Sequence, residues 1–65
     1  MTGKEVKSKR RALKLTQKQL AEKTGLNRID ISYHERTKRD LRNVNSYHNM
    51  ILEGFFKGAN NEKNG

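Results

Sequence analysis

The sequence predicts an all-α fold, a compact bundle of four helices in which a fifth helix is left open. Helix-start signals recur along the chain, and apolar residues recur three or four positions apart in the segments that follow them. No stretch alternates apolar and polar residues as a half-buried strand does. The 65 residues suffice for one domain, which we expect to be marginally stable because so short a chain buries little of its surface.

The first helix is predicted over residues 3–14. Thr2 and Glu5 have the spacing of a capping box, in which each side chain accepts a hydrogen bond from the other residue's backbone N–H. Val6 and Leu13 mark its inward face, and Arg10 lies between them at helical spacing. Because an unpaired charge is costly to bury, an arginine at this position needs a carboxylate partner.

Two short helices are predicted next, over residues 17 to 23 or 24 and over residues 28–36. Thr16 caps the first with Gln19 three residues on, and Asn27 caps the second with Asp30 three residues on. Gly25 ends the first of them, since glycine adopts the left-handed conformation at low cost. Both starts also carry the apolar pair of a hydrophobic staple, Leu15 with Leu20 and Leu26 with Ile31. Two capped helices about one turn apart are typical of a DNA-reading helix-turn-helix.

The next segment, residues 37–42, is polar and predicts a loop. A fourth helix is predicted from an apolar stripe at intervals of three, four and four, formed by Val44, Tyr47, Ile51 and Phe55. Its cap is left open among Asp40, Arg42 and Asn43, and Gly54 is a candidate early end. Residues 57–65 have little to bury, so we expect a domain over residues 1–56 followed by a disordered polar tail.

The charge of the chain is unevenly distributed. The formal net charge is +8, and thirteen of the fifteen Lys and Arg residues lie in residues 1–42, whereas residues 43–65 hold two bases and two acids. A positive field over one face attracts polyanions and adds a salt-dependent contribution to affinity. The alternative is a basic surface that is merely solvated.

Several protein classes are not favoured. Without cysteine the chain forms no disulfide or thiolate metal site, which fits a reducing cytoplasm, and its apolar runs are far shorter than a membrane span of about 20 residues. His34 and His48 are interpreted as solvated or half-buried rather than as zinc ligands. The glutamates form no close acid pair, the serines no nucleophile motif and the glycines no phosphate loop. We therefore expect a cytoplasmic protein that is not an enzyme and has no cofactor or metal.

Residues 6–35 carry a specific combination of motifs. They read V-K-S-K-R-R-A-L-K-L-T-Q-K-Q-L-A-E-K-T-G-L-N and, after three intervening residues, I-S-Y-H-E. In these residues the chain resembles the helix-turn-helix family of lambdoid phage repressors and Cro proteins, also called the xenobiotic-response-element-like family. The resemblance is close over residues 6–35 and looser over the apolar spacing of residues 44–51. It implies a lambda-repressor-like DNA-binding domain of four or five helices with an ion pair between Arg10 and Glu35.

The chain departs from the family pattern around the exit from the third helix. Thr37 stands where members usually have glycine, two residues after Glu35, and the chain has no proline. The loop before the fourth helix is short or offset by a residue. His34 occupies a position that is commonly aliphatic.

The resemblance implies that the third helix enters the major groove and that its outward side chains select the DNA sequence. Arg28 can donate two hydrogen bonds to guanine, Ile29 can contact a thymine methyl group, and Ser32 can bond several base edges. Asp30 is assigned to capping, because its charge would repel phosphate. The predicted base-reading residues are Asn27, Arg28, Ile29, Ser32 and Tyr33.

Phosphate contacts are predicted from the start of the second helix and from the segment after the third. A helix start carries partial positive charge, and Gln17 is placed there to donate its amide to a phosphate. Such contacts position a protein on DNA without selecting sequence. The predicted phosphate-contacting residues are Gln17, Arg36, Lys38, Arg39 and Arg42, with Lys9 or Lys14 as additions.

These features lead us to expect a small phage- or plasmid-type repressor that acts by occupying its operator. Because a domain that reads about four or five base pairs is poorly selective, we expect a homodimer on double-stranded DNA with a palindromic operator. The candidate pairing surface is formed by the C-terminal apolar residues Tyr47, Ile51, Leu52, Phe55 and Phe56. The alternative is that these residues close the protein's own core.

Three other functions are left open. An antitoxin would bind a toxin through its C-terminal segment and DNA through the third helix. A protein-interaction module, such as an antirepressor, would bind no duplex. RNA binding is a weaker choice, because the third helix lacks the aromatic platform that readers of single strands use. We expect neither a small-molecule ligand nor a membrane as partner.

Overall fold

The computed structural model describes residues 1–59 in full and the backbone of residues 60–64 as the end of the last helix. Over this range the chain is helical, and Thr2 and Asp40 form a lone antiparallel bridge. No helix in the described part of the chain is both long and apolar enough to cross a membrane. The helices are α1 (Gly3–Ala12), α2 (Gln17–Thr24), α3 (Arg28–Arg36), α4 (Leu41–Val44) and α5 (Ser46–Asn64).

The first two helices begin at capping boxes, as predicted. The N–H of Glu5 donates to Thr2 Oγ1 over 3.2 Å, and the N–H of Thr2 donates to Glu5 Oε1 over 3.0 Å. Thr16 and Gln19 repeat this exchange at 3.1 and 2.9 Å. Helix α1 ends at Ala12, two residues before the predicted end, because Lys14 takes a left-handed φ of 59° in the turn that follows.

Helix α3 begins at a single cap bond and ends without a glycine. The N–H of Ile29 donates to Asn27 Oδ1 over 2.8 Å. At the other end Thr37 has φ −75° and ψ 146°, an extended conformation that any L-residue adopts. The chain therefore leaves α3 without a left-handed residue, and threonine at this position is compatible with the fold.

The segment after α3 contains a short helix where the sequence predicts only a loop. Asp40 caps α4 by accepting the N–H of Arg42 at Oδ1 over 2.9 Å, so the helix left open by the sequence is present. Leu41 is fully buried. The eight buried apolar residues of the core are Met1, Val6, Leu20, Ala21, Ile31, Leu41, Leu52 and Phe56.

The predicted fourth helix corresponds to α5, but the apolar stripe that predicted it is only partly buried. Tyr47 is 62% exposed, whereas Leu52 is 0% and Phe56 3% exposed. Ile51 and Phe55 are half-buried. Two apolar stripes run along α5 one residue apart, so a rotation of about 100° exchanges the buried stripe for the exposed one. Gly54 lies inside the helix and does not end it.

The predicted disordered tail is wrong at its beginning. Lys57, Gly58 and Ala59 belong to α5, which continues from the buried Phe56. Extending an established helix costs far less than starting one, so residues with little to bury can still be helical there. The rest of the predicted tail, residues 60–65, lies outside the residues described in full.

Helices α1 and α3 approach so closely that one position accepts only glycine. A Cβ at Gly3 would overlap the carbonyl oxygen of His34 and would lie 3.0 Å from the carbonyl oxygen of Thr37. Both oxygens belong to the backbone, which cannot turn aside as a flexible side chain can. Gly3 therefore sets the distance between the start of α1 and the end of α3.

Candidate nucleic-acid interface

Helix α3 separates its residues into an outer and an inner face. Ile31 and His34 are buried, and they lie opposite the exposed Ile29 and Tyr33, which are 65% and 46% exposed. At about 100° per residue the outer residues fall within an arc of about 140°. Four of the five predicted base-reading residues therefore share one face. This face carries Arg28, Ile29, Ser32, Tyr33 and Arg36.

The fifth predicted reader, Asn27, lies at the start of α3 and is exposed. Its Oδ1 accepts the N–H of Ile29, so its amide nitrogen and one lone pair of Oδ1 are left to bond a base edge. Asp30 is half-buried and lies away from the outer face of the helix.

A polar network fixes α3 against the two preceding helices. Arg10 holds both carboxylate oxygens of Glu35, Nε to Oε2 at 2.7 Å and Nη2 to Oε1 at 3.0 Å. Its Nη1 donates to the carbonyl of Leu15 over 2.7 Å. The side chains of Arg10 and Glu35 are only 11% and 3% exposed. The hydrogen bonds that Arg10 donates to Glu35 raise the pKa of Arg10, so its guanidinium stays protonated.

Gln17 has a role in this network that the sequence did not predict. Its Nε2 donates to Glu35 Oε1 over 3.2 Å. An amide nitrogen carries two hydrogens, so one remains for a phosphate at the start of α2. The contact also orients the side chain, because it ties Gln17 to a buried carboxylate.

The predicted phosphate contacts after α3 differ in availability. Lys38 and Arg39 are exposed in the turn between α3 and α4. Arg42 is already paired, its Nε and Nη2 donating to Asp40 over 3.1 and 3.0 Å. The same hydrogen bonds hold the pKa of Asp40 well below its usual range. Arg42 would therefore have to share or leave a carboxylate to bind phosphate, whereas Lys38 and Arg39 would not.

The structure brings together two histidines that sequence reasoning had left apart. His34 Nε2 and His48 Nδ1 are 2.9 Å apart and share a hydrogen bond between α3 and α5. His34 is buried and His48 half-buried, so a solvated His34 is excluded. His34 Nδ1 has no hydrogen-bond partner within residues 1–59. The same residues hold no group of three or more metal-binding side chains.

Protonation of His34 is unfavourable in the folded protein. Burial lowers the pKa of His34, as does the neighbouring His48, whereas Asp30 acts in the opposite direction. Two protonated rings would set one N–H against another at the shared contact and break it. The one signal in the sequence was His34 at a commonly aliphatic position.

We expect the protein to lose stability as the pH falls below the ordinary histidine value of 6.5. The pKa of His34 is lowered in the folded state, so protons bind the unfolded chain first and favour it. The stability that neutral His34 contributes to the folded protein is complete above that pH and is lost as the pH falls below it. Guanidinium unfolding midpoints between about pH 8 and pH 5 measure the effect. His34→Leu should flatten the dependence, and an unchanged pH slope in this variant would exclude the histidine pair as its source.

The predicted pairing surface is only partly exposed. Leu52 and Phe56 belong to the protein's own core, so they are unavailable to a second chain. Tyr47 is exposed, and so is Met50, which the sequence analysis did not assign; each is 62% exposed. An added Cβ at Gly54 would meet no atom within 4 Å, so the surface beside these residues is open.

The interface thus combines an exposed helix face, carrying hydrogen-bonding and apolar side chains, with exposed lysine and arginine residues after it. Comparison of the chain with protein-family models, curated proteins and solved structures gives no match. The proposal for the function therefore rests on the residues of this chain and on the family resemblance that they carry.

Proposed function

We propose that the chain is a sequence-specific, double-stranded DNA-binding transcriptional regulator of the lambdoid repressor and Cro type. The observation that carries the proposal is the outer face of α3. This helix follows α2 after a three-residue turn and presents Arg28, Ile29 and Tyr33 to solvent, with the half-buried Ser32 on the same face. Its inner face is held by the buried pair of Arg10 and Glu35. A rigidly held helix with an exposed polar and apolar face is suited to the major groove.

Each exposed side chain has a chemistry that suits a base edge. The guanidinium of Arg28 can donate two hydrogen bonds to O6 and N7 of guanine. Ile29 offers an apolar surface to a thymine methyl group, and Ser32 can donate or accept. Ile29 is 65% exposed although it is apolar, and a contact with DNA would cover it. Burial of Ile29 would add affinity only where a thymine methyl group meets it.

The positions around this face suit phosphate. Lys38 and Arg39 are exposed beyond the end of α3, and neither takes part in an ion pair described within residues 1–59. Gln17 retains one amide hydrogen at the start of α2, where the helix dipole also favours an anion. These contacts would set the position of α3 in the groove.

We propose that the protein binds its operator as a homodimer. One copy of α3 reads too few base pairs to be selective, and symmetric pairs read half-sites about 34 Å apart. The pairing surface proposed here is revised to the exposed Tyr47 and Met50 with the half-buried Ile51 and Phe55. This part of α5 lies in the neutral C-terminal region, so two copies can approach there with little charge repulsion. Occupancy of the operator in the cytoplasm is the simplest mode of repression.

The test begins with selection of bound duplexes from a random pool, which supplies a matched duplex and is expected to enrich a palindrome. Arg28→Ala should then cost about 1–3 kcal/mol on the matched duplex and relax the preference at one base pair. Lys38→Ala should weaken all duplexes alike and reduce the salt slope by about one unit. Dissociation constants at two salt concentrations on matched and scrambled duplexes measure both effects.

Lys38→Ala serves as the matched control, since each variant removes one exposed cation. If Arg28→Ala weakened matched and scrambled duplexes equally, base readout by Arg28 would be refuted. If the folded protein bound no duplex at low salt, a protein-interaction module using the exposed face of α5 would replace the proposed regulator.

A further inference from the structure

The outer face of α1 is a continuous basic stripe. Lys7, Ser8 and Arg11 lie three, four and seven positions after Lys4, and all four residues are exposed. They lie opposite Val6, which is buried in the core. The proposed DNA-reading helix does not include this stripe, and none of its cations belongs to the predicted interface.

The stripe carries no compensating acid. Glu5 lies about 100° around the helix and its carboxylate accepts the N–H of Thr2. Within residues 1–59, Arg10 and Arg42 form ion pairs with carboxylates, and no cation of the stripe does. Like charges at these spacings repel and weaken a helix, so the stripe is a cost to the folded protein. Such a charge pattern is suited to a multiply charged anion.

The stripe is continuous with the candidate interface. One surface groove is lined by Lys4 together with Arg36, Thr37 and Lys38 from the end of α3, and also by the paired Glu35. A second groove, which shares Lys4, is lined by Lys7, Ser8 and Arg11. Lys4 lines both grooves, and the close approach of α1 to α3 at Gly3 places the end of α3 beside the start of α1. The cationic surface therefore runs without a break from the end of α3 along α1.

The dimensions and composition of the stripe favour a nucleic-acid backbone. From Lys4 to Arg11 the helix rises about 10.5 Å, which corresponds to about three phosphates at about 3.4 Å of axis per strand. A single small anion could not contact cations spread over this length. A membrane surface is disfavoured, because an interfacial helix needs an exposed apolar face and the apolar face of α1 is buried.

We propose that the outer face of α1 is a second phosphate-contacting track, which engages the duplex backbone beyond the segment that α3 reads. Lys4, Lys7 and Arg11 donate to phosphate oxygens of the flanking duplex. The inference rests on the proposed function, and it extends the footprint of each copy. Because phosphates carry no base identity, the track raises affinity and its salt dependence without altering sequence preference.

The test compares two double variants that each remove two exposed cations. Lys7→Gln/Arg11→Gln alters the track, and Lys23→Gln/Lys57→Gln alters α2 and α5 as a matched control. Dissociation constants are measured against salt on a duplex limited to the selected site and on one extended by about ten base pairs at each end. On the extended duplex we expect the track variant to reduce the slope of log K against log salt by about two units. The control should change it little, and the ratio of matched to scrambled affinity should stay the same.

The outcomes separate the inference from the proposed function. Equal slopes for the two double variants on the extended duplex would overturn the track, while wild-type preference for the matched duplex would leave the proposed function intact. If the track variant lowered the salt slope as much on the short duplex as on the extended one, the placement of the track on flanking DNA would be overturned. Tighter binding of double-stranded RNA than of the extended duplex would overturn DNA as its occupant. Failure of the wild type to bind any duplex would refute the proposed function itself.

Discussion

Glu35→Ala is expected to remove a large share of the protein's free energy of unfolding at 25 °C. A chain of 65 residues is stabilised by about 3–10 kcal/mol in total. Removal of one partner from a buried ion pair costs about 3–5 kcal/mol, because the other charge is left buried without compensation. Here the Arg10 guanidinium would keep only the carbonyl of Leu15, and Gln17 would lose its acceptor. Helical circular dichroism and guanidinium unfolding of the purified variant measure the loss.

Two variants show whether the missing carboxylate is the cause. Glu22→Ala removes an exposed glutamate of α2 and should stay within about 0.5 kcal/mol of the wild type. Arg10→Met/Glu35→Leu removes both charges together and should recover much of the stability lost by Glu35→Ala, because no ion is then buried alone. Equal stability of Glu35→Ala and Glu22→Ala would contradict a structural role for the pair.

Leu52→Ala should cost about 2–5 kcal/mol, the second large loss we expect. Leu52 is fully buried, so the substitution removes buried methyl groups and leaves a cavity that the neighbouring helices fill only in part. Tyr47 lies on the neighbouring apolar stripe of α5 and is 62% exposed. Tyr47→Ala should therefore change the free energy of unfolding by no more than about 0.5 kcal/mol. Guanidinium unfolding curves of both variants give the comparison.

The measurements are made at two protein concentrations, since a homodimer pairing through Tyr47 would make its effect depend on concentration. At the lower concentration only Leu52→Ala should lower the free energy of unfolding markedly. A larger loss for Tyr47→Ala there would mean that α5 packs through the stripe that the sequence predicted. The result therefore tests the rotation of α5 directly.

The most predictable part of the candidate interface is the part that depends on contacts between residues close in sequence. The caps at Thr16 and Asn27 and the end at Gly25 involve bonds between residues only two to four apart. Because α3 then begins at a defined residue, its periodicity suffices to place Arg28 and Ile29 on one face. The carboxylate partner that Arg10 required was named from the family resemblance, and the structure forms that pair.

Other features of the interface depend on residues that are distant in sequence. Gln17 faces Glu35 only because α2 and α3 pack together, and His34 meets His48 only because α5 crosses α3. The pairing of Arg42 with Asp40 is local, but it followed from the cap of a helix that the sequence left open. The periodicity of the sequence does not contain this information, because it shows which face of one helix is apolar and not which residues of another helix that face contacts.

Local hydrogen bonds and charge are what the chain encodes most directly: where α1, α2 and α3 begin, where α2 ends, and that the excess positive charge lies in residues 1–42. Tertiary packing decided the rotation of α5, the burial of Leu41 and the need for glycine at position 3. The physical reason is that a cap is satisfied within one turn of its own helix. Which of two apolar stripes is buried depends instead on the surface that the other helices present to it, and that surface exists only in the folded protein.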